Sequence, residues 1–156
     1  MYEKISELLT GRKFAEIRKL LSDANPVDIA QMFEELDEED VIRVFRLLPK
    51  EVAAETFSYM SSEAQKNIVE SMTDRELSGI IDELFLDDTV DLIEEMPASV
   101  VKKVLANTFG EKRSLINRFL QYKEDSAGSI MTIEFVDLKK EMTVEKAFEH
   151  IRKTGV

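Results

Sequence analysis

The chain copies itself, and no other feature limits its fold as tightly. Met32–Pro49 and Ile80–Pro97 align at an offset of forty-eight residues, with Glu35/Glu83, Leu36/Leu84, Asp40/Asp88 and Pro49/Pro97 identical. Apolar residues stand opposite apolar ones at Met32/Ile80, Phe33/Ile81, Ile42/Val90, Val44/Leu92, Phe45/Ile93 and Leu48/Met96. The period halves: Phe33, Phe57, Ile81 and Leu105 fall on a twenty-four-residue lattice, as do Leu48, Met72, Met96 and Leu120. Such a length holds two short helices and a turn, a unit too small to bury its own apolar stripe, so neighbours must stack. The expected fold class is all-α, a superhelical solenoid of short helix pairs.

Helix signals recur along the lattice. Tyr2–Leu9 and Lys13–Leu21 read as a capping hairpin, with stripes Ile5, Leu8, Leu9 and Phe14, Ile17, Leu20, Leu21 punctuated at Gly11. Asn25-Pro26 starts a helix, Asn as cap and Pro at the first helical position. Asp37 and Ser61 are candidate caps, Pro49 and Pro97 open further helices, and Thr73-Asp-Arg-Glu76 is a capping box. After Tyr122 the texture changes. Residues 122–132 read as a linker, Ile133–Leu138 alternates as a short strand does, and Thr143 caps a helix carrying Val144, Ala147, Phe148 and Ile151. A lone strand and helix cannot make a core, so residues 133–156 are expected to be the start of an incomplete second domain. The helical repeat domain is then 1–121.

Charge is distributed unevenly. The net charge is −11, but residues 26–100 alone carry twenty acids against five bases, and both flanks are net basic. That surface repels nucleic acid and anionic lipid and concentrates cations. No apolar run approaches the ~20 residues needed to span a bilayer, and Met1 is not followed by a signal-peptide pattern. The absence of cysteine excludes disulfide frameworks and thiolate zinc sites and fits a reducing cytosol.

Catalysis finds no support. His150, the single histidine, has no serine–acid constellation near it in sequence, and no phosphate-binding glycine loop or EF-hand spacing occurs. The acids carry more information. Asp87 and Asp91 stand four apart at a helix start, so they share a face about 5–6 Å apart. Acids at a helix N-terminus also suit its dipole, which is the competing explanation for Asp87 and Asp88. Asp91 is different, because its lattice counterpart is Arg43; Glu55 likewise has Lys103 as counterpart. Carboxylates without nitrogen or sulfur suit hard cations, and Mg2+ takes one or two carboxylates while keeping its waters. The metal candidates are therefore Glu55, Asp87 and Asp91, for weak, regulatory Mg2+.

The stretches EELDEED (Glu34–Asp40), FRLLPKEVAAE (Phe45–Glu55) and DELFLDDTVDLIEEMP (Asp82–Pro97) resemble the cytosolic amino-terminal domain of MgtE-type magnesium transporters. Tyr122–Arg152, with its EDSAGSIMT, resembles the opening of the CBS region that follows that domain. The resemblance implies a right-handed superhelix on the cytoplasmic side of the membrane. It implies CBS domains and a membrane pore of the same chain as partners, and a homodimer in the full-length protein. It further implies Mg2+ shared between the helical domain and the CBS region, screening their acidic faces and favouring a closed pore. The positions matching the family's metal-contacting acids are again Glu55, Asp87 and Asp91. The competing expectation is a protein-binding helical scaffold of the flagellar motor-switch type with no metal role.

Overall fold

The computed structural model describes residues 1–123 and 125–154; Glu124 of the expected linker and Gly155–Val156 of the expected second domain lie outside the described residues. The helices are α1 (Tyr2–Thr10), α2 (Phe14–Ser22), α3 (Pro26–Phe33), α4 (Glu38–Phe45), α5 (Lys50–Ser58) and α6 (Ser62–Ser71). They continue as α7 (Asp74–Glu83), α8 (Leu86–Glu95), α9 (Ala98–Ala106), α10 (Gly110–Phe119) and α11 (Val144–Thr154). The lattice read from the sequence is realised in the helix starts. α3, α5, α7 and α9 begin at 26, 50, 74 and 98, and α4, α6, α8 and α10 at 38, 62, 86 and 110.

Helices one repeat apart pack on each other. α3 lies on α5, α5 on α7 and α7 on α9 in one row; α4 lies on α6 and α8 on α10 in the other, and α9 bridges to α6 and α8. Buried side chains from both rows form one continuous core, including Phe33, Val44, Phe45, Phe57, Ile68, Val69, Ile81 and Val100. Phe33, Phe45 and Phe57 run through it with ring centroids 6.4 and 6.2 Å apart, tilted and edge-on as aromatic quadrupoles prefer. Each fully buried side chain of this size stabilises the fold by roughly 1.5–3 kcal/mol. None of these helices exceeds ten residues, so packing rather than isolated helicity holds them.

The caps are local and mostly as the sequence dictates. Asn25 Oδ1 accepts the Val27 N–H at 2.9 Å, Ser61 Oγ accepts from Ala64, and the Thr73–Glu76 capping box is complete. Asp37 occupies the N-cap position of α4 but its carboxylate makes no capping bond; it stays in water. In the α1–α2 turn the left-handed residue is Arg12 (φ 53), not Gly11 (φ −77), which costs about 1 kcal/mol. It lets the Lys13 N–H reach the Leu8 carbonyl at 2.9 Å. Phe14, expected inward, is 43% exposed, because Ile17 and Leu21 already fill the hairpin's inner face.

Several helix C-termini are capped at long range by cations. Lys103 Nζ on α9 donates to the Val69 and Met72 carbonyls at 2.7 and 2.6 Å, closing α6. Lys112 Nζ on α10 donates to the Ile81 and Leu84 carbonyls, closing α7. Arg46 Nη2 donates to the Ser71 carbonyl at 2.7 Å. Orphan carbonyls and the negative end of the dipole favour a cation there.

The expected strand at 133–138 does not form. The segment is extended but pairs with no neighbouring strand among the described residues, and a strand without a ladder is only an extended chain. The helix after it does form as α11, with Thr143 Oγ1 accepting the Lys146 N–H, yet it buries none of its residues, and Phe148 is 55% exposed. Residues 126–129 turn tightly. Ser129 Oγ donates to the Ser126 carbonyl at 2.9 Å, and Gly128 lies so close to Tyr122 that a Cβ there would sit 2.5 Å from the ring.

Candidate metal-binding groove

The packing of α5 on α7, and the short step from α7 into α8, lines up the outward faces of three helices. Glu51, Glu55 and Tyr59 project from α5 and the residue after it. Asp82 and Glu83 end α7, and Phe85 and Asp88 lie at the start of α8. Ile133, Glu134 and Phe135 of the extended segment form the opposite side of a groove of about 910 Å³. Along α8 a smaller hollow of about 200 Å³ is lined by Asp88, Asp91, Glu95, Ser58 and Gln65.

Thus Glu55 and Asp91 lie on two adjoining depressions that share Asp88. Asp87 lines neither, but it is close enough to Asp91 and Asp88 to raise the proton affinity of both. Asp87 Oδ1 is buried with no hydrogen-bond partner, an arrangement that costs about 1–3 kcal/mol unless something satisfies it. Among the described residues no three carboxylates or imidazoles converge closely enough to hold a metal ion between them.

Electrostatically the wall is uncompensated. Burial pushes the Asp88 carboxyl above its ordinary value, and Asp87, Asp91 and Glu134 push it further, against the pull of Lys112. Asp91 is raised by burial, then by Asp87 and Glu95. Among the described residues no lysine or arginine forms an ion pair with Glu55, Asp87, Asp88 or Asp91. The nearby cations are engaged elsewhere: Lys50 pairs with Glu83 at 2.7 Å, and Lys112 caps α7. Lys112, half-buried, is held below its ordinary lysine value by desolvation, against the acids around it.

Two groups in the groove escaped the sequence reading. Glu134 lay inside what looked like strand alternation, and Lys112 on a helix whose charges carried no pattern. Asp88 was visible as the identical partner of Asp40, but its place at the helix start hid it behind the dipole explanation. The puzzle of Lys103 opposite Glu55 is resolved by the cap on α6: the lysine is used for packing, leaving Glu55 as the exposed member of the pair.

A carboxylate set of this kind, presented on a helical stack with Glu55, Asp87, Asp88 and Asp91 outside any ion pair among the described residues, has the donor chemistry of a hydrated hard dication held by one or two oxygens. Fold and groove together define a class: an all-helical repeat module that carries an acidic wall beside the segment leading out of it. The chain belongs to the MgtE intracellular N domain family, which matches residues 24–125. It is similar in structure to the cytosolic domain of the Mg2+ channel MgtE, solved in complex with ATP, at a TM-score of 0.83 and 29% identity. It is also similar to the soluble part of a magnesium transporter, at 0.84 and 25%. The matches cover 99% and 98% of this chain but 63% and 60% of those two, so this chain spans less than two thirds of either. No curated protein matches it. Among the described residues no helix is long and apolar enough to cross a membrane.

Proposed function

We propose that this chain is the magnesium-sensing regulatory module of a Mg2+ channel or transporter. Residues 1–121 form the sensing domain, 122–132 the linker, and 133–156 the start of a CBS domain. Mg2+ is shared between the acidic wall, with Glu55, Asp87 and Asp91 as its contacts, and the CBS region of the same full-length chain, which acts as a homodimer. The observation that carries this is the set of unpaired carboxylates along α5 and α8, next to the segment that leads towards the second domain.

The mechanism is a population shift. Without a dication the like-charged faces separate the two domains; with it, water-mediated contacts favour a compact arrangement and a closed pore. The shift is limited by the difference in affinity of the two arrangements for the ion. The chain makes its contribution through position alone. The helical stack fixes the carboxylates, and Lys103, Lys50 and Lys112 are kept from neutralising them by their own partners. No catalytic role is part of this reading.

The scaffold alternative would use the apolar side chains of this groove, Phe85, Ile133 and Phe135; the carboxylates of Glu51, Glu55, Asp82, Asp88 and Glu134 that share its lining favour the sensor reading. The test is a magnesium titration of the chain followed by amide NMR. Weak binding is expected, with shifts confined to α5, the start of α8 and residues 132–135. Submicromolar stoichiometric binding, or shifts scattered over the stack, would overturn the shared-site reading.

A further inference from the structure

The first amides of a helix have no intrahelical acceptor, and the N-cap of α8 is Phe85, a residue with no side-chain oxygen to offer. The Leu86 N–H is nevertheless satisfied: it donates to the carboxylate of Glu134, forty-eight residues further along the chain. We propose that Glu134 is a latch that fastens the extended segment to the helical stack by capping α8, with Lys112 as its counter-charge, and that its release frees residues 131–154 to move as a unit.

Three observations support this. Among the described residues, the Glu134–Leu86 bond is the one hydrogen bond that joins residues 131–154 to the helices before them. Among the described residues the segment has no strand partner to hold it, and α11 has no fully buried residue, although its Thr154 lines the groove. The bond is also opposed. From α8, Asp88 repels Glu134; from α7, Asp82 and Glu83 add to the acid around it; from α10, Lys112 is the cation in reach. A contact held by one amide and one lysine against several acids is poised to open. Glu134, Ile133 and Phe135 also wall the large groove, so opening the latch opens the groove. This device needs no metal, although Glu134 walls the groove proposed to hold one; its test contains none, so it can fail without the sensor reading failing.

Amide exchange and backbone relaxation of the chain in a chelator, without divalent cations, test it. In the unsubstituted chain Leu86 is expected to be protected, unlike first-turn amides that have no cap, and residues 131–138 to be ordered. Glu134→Ala is expected to speed Leu86 exchange by about tenfold or more and to raise the mobility of 131–138, leaving α5 amides unchanged. Glu134→Gln, which keeps an acceptor but not the charge, is expected to fall between. Unchanged Leu86 exchange and unchanged mobility in Glu134→Ala would overturn the latch, as would an unprotected Leu86 in the unsubstituted chain.

Discussion

Asp91→Asn is expected to make the protein more stable, and the gain should be a function of salt. Asp91 lies on α8 with Asp87 one turn before it and Glu95 one turn after; partial burial raises its proton affinity most, and both neighbours add to it. Like charges four residues apart on a helix destabilise it by about 0.2–0.5 kcal/mol per pair. Two pairs give roughly 0.4–1 kcal/mol, and exposure of the side chain argues for the lower half at physiological salt. Little opposes this. Asp91 holds no ion pair among the described residues, it sits past the first turn where the dipole acts, and Asn and Asp have similar helix propensities. For a chain of this size the gain corresponds to a rise in Tm of about 1–4 °C. Urea melts at about 10 mM and about 1 M monovalent salt, where the screening length falls from ~30 to ~3 Å, provide the assay. The advantage should be largest at low salt and shrink at high salt to the part that partial burial contributes, which screening does not remove. It should also vanish with acid. Because the folded carboxyl titrates above its ordinary value of 3.8, the native protein carries the penalty above that raised value and sheds it as pH falls towards 3.8. A gain that ignores both salt and pH, or no gain at low salt, would show that the acids of α8 do not strain one another.

Two further outcomes follow from the caps. Lys103→Met removes a charged donor from two α6 carbonyls and is expected to destabilise by about 1.5–3 kcal/mol in urea unfolding, whereas the same change at exposed Lys102 should cost under about 0.5 kcal/mol. Glu76→Ala should lose about 1 kcal/mol at neutral pH. Its carboxyl is held below the ordinary 4.5 by the Thr73 amide and hydroxyl and by Arg46, so its contribution is present above 4.5 and fades as pH falls through the lower folded value, closing the gap between variant and parent.

Much of the fold was legible because it is periodic. An apolar lattice of twenty-four residues leaves little choice of helix starts, and Asn25, Ser61 and Thr73 mark theirs chemically. Phe14 and Arg12 were not legible, since a two-helix cap has one partner instead of two and its outer positions are decided by whatever the next unit leaves open. The strand at 133–138 was misread because alternation reports a side-chain pattern, while a strand also requires a neighbour. At the groove, departure from the lattice singled out Glu55 and Asp91, and the structure sets both on adjoining depressions. Glu134 and Lys112 were invisible because their roles depend on backbone groups far away in sequence, which no spacing rule encodes.

The tethers from Lys103 and Lys112 reach back past intervening helices, from α9 to α6 and from α10 to α7. A plain stack of hairpins can fray from either end, one unit after another. Here the stack from α4 onwards is cross-braced, Arg46 reaching the end of α6 as well, while α1 and α2 rest on ordinary contact. Unravelling therefore has a direction: it starts at the amino-terminal hairpin, and the acidic region around α7 and α8 is the last to loosen.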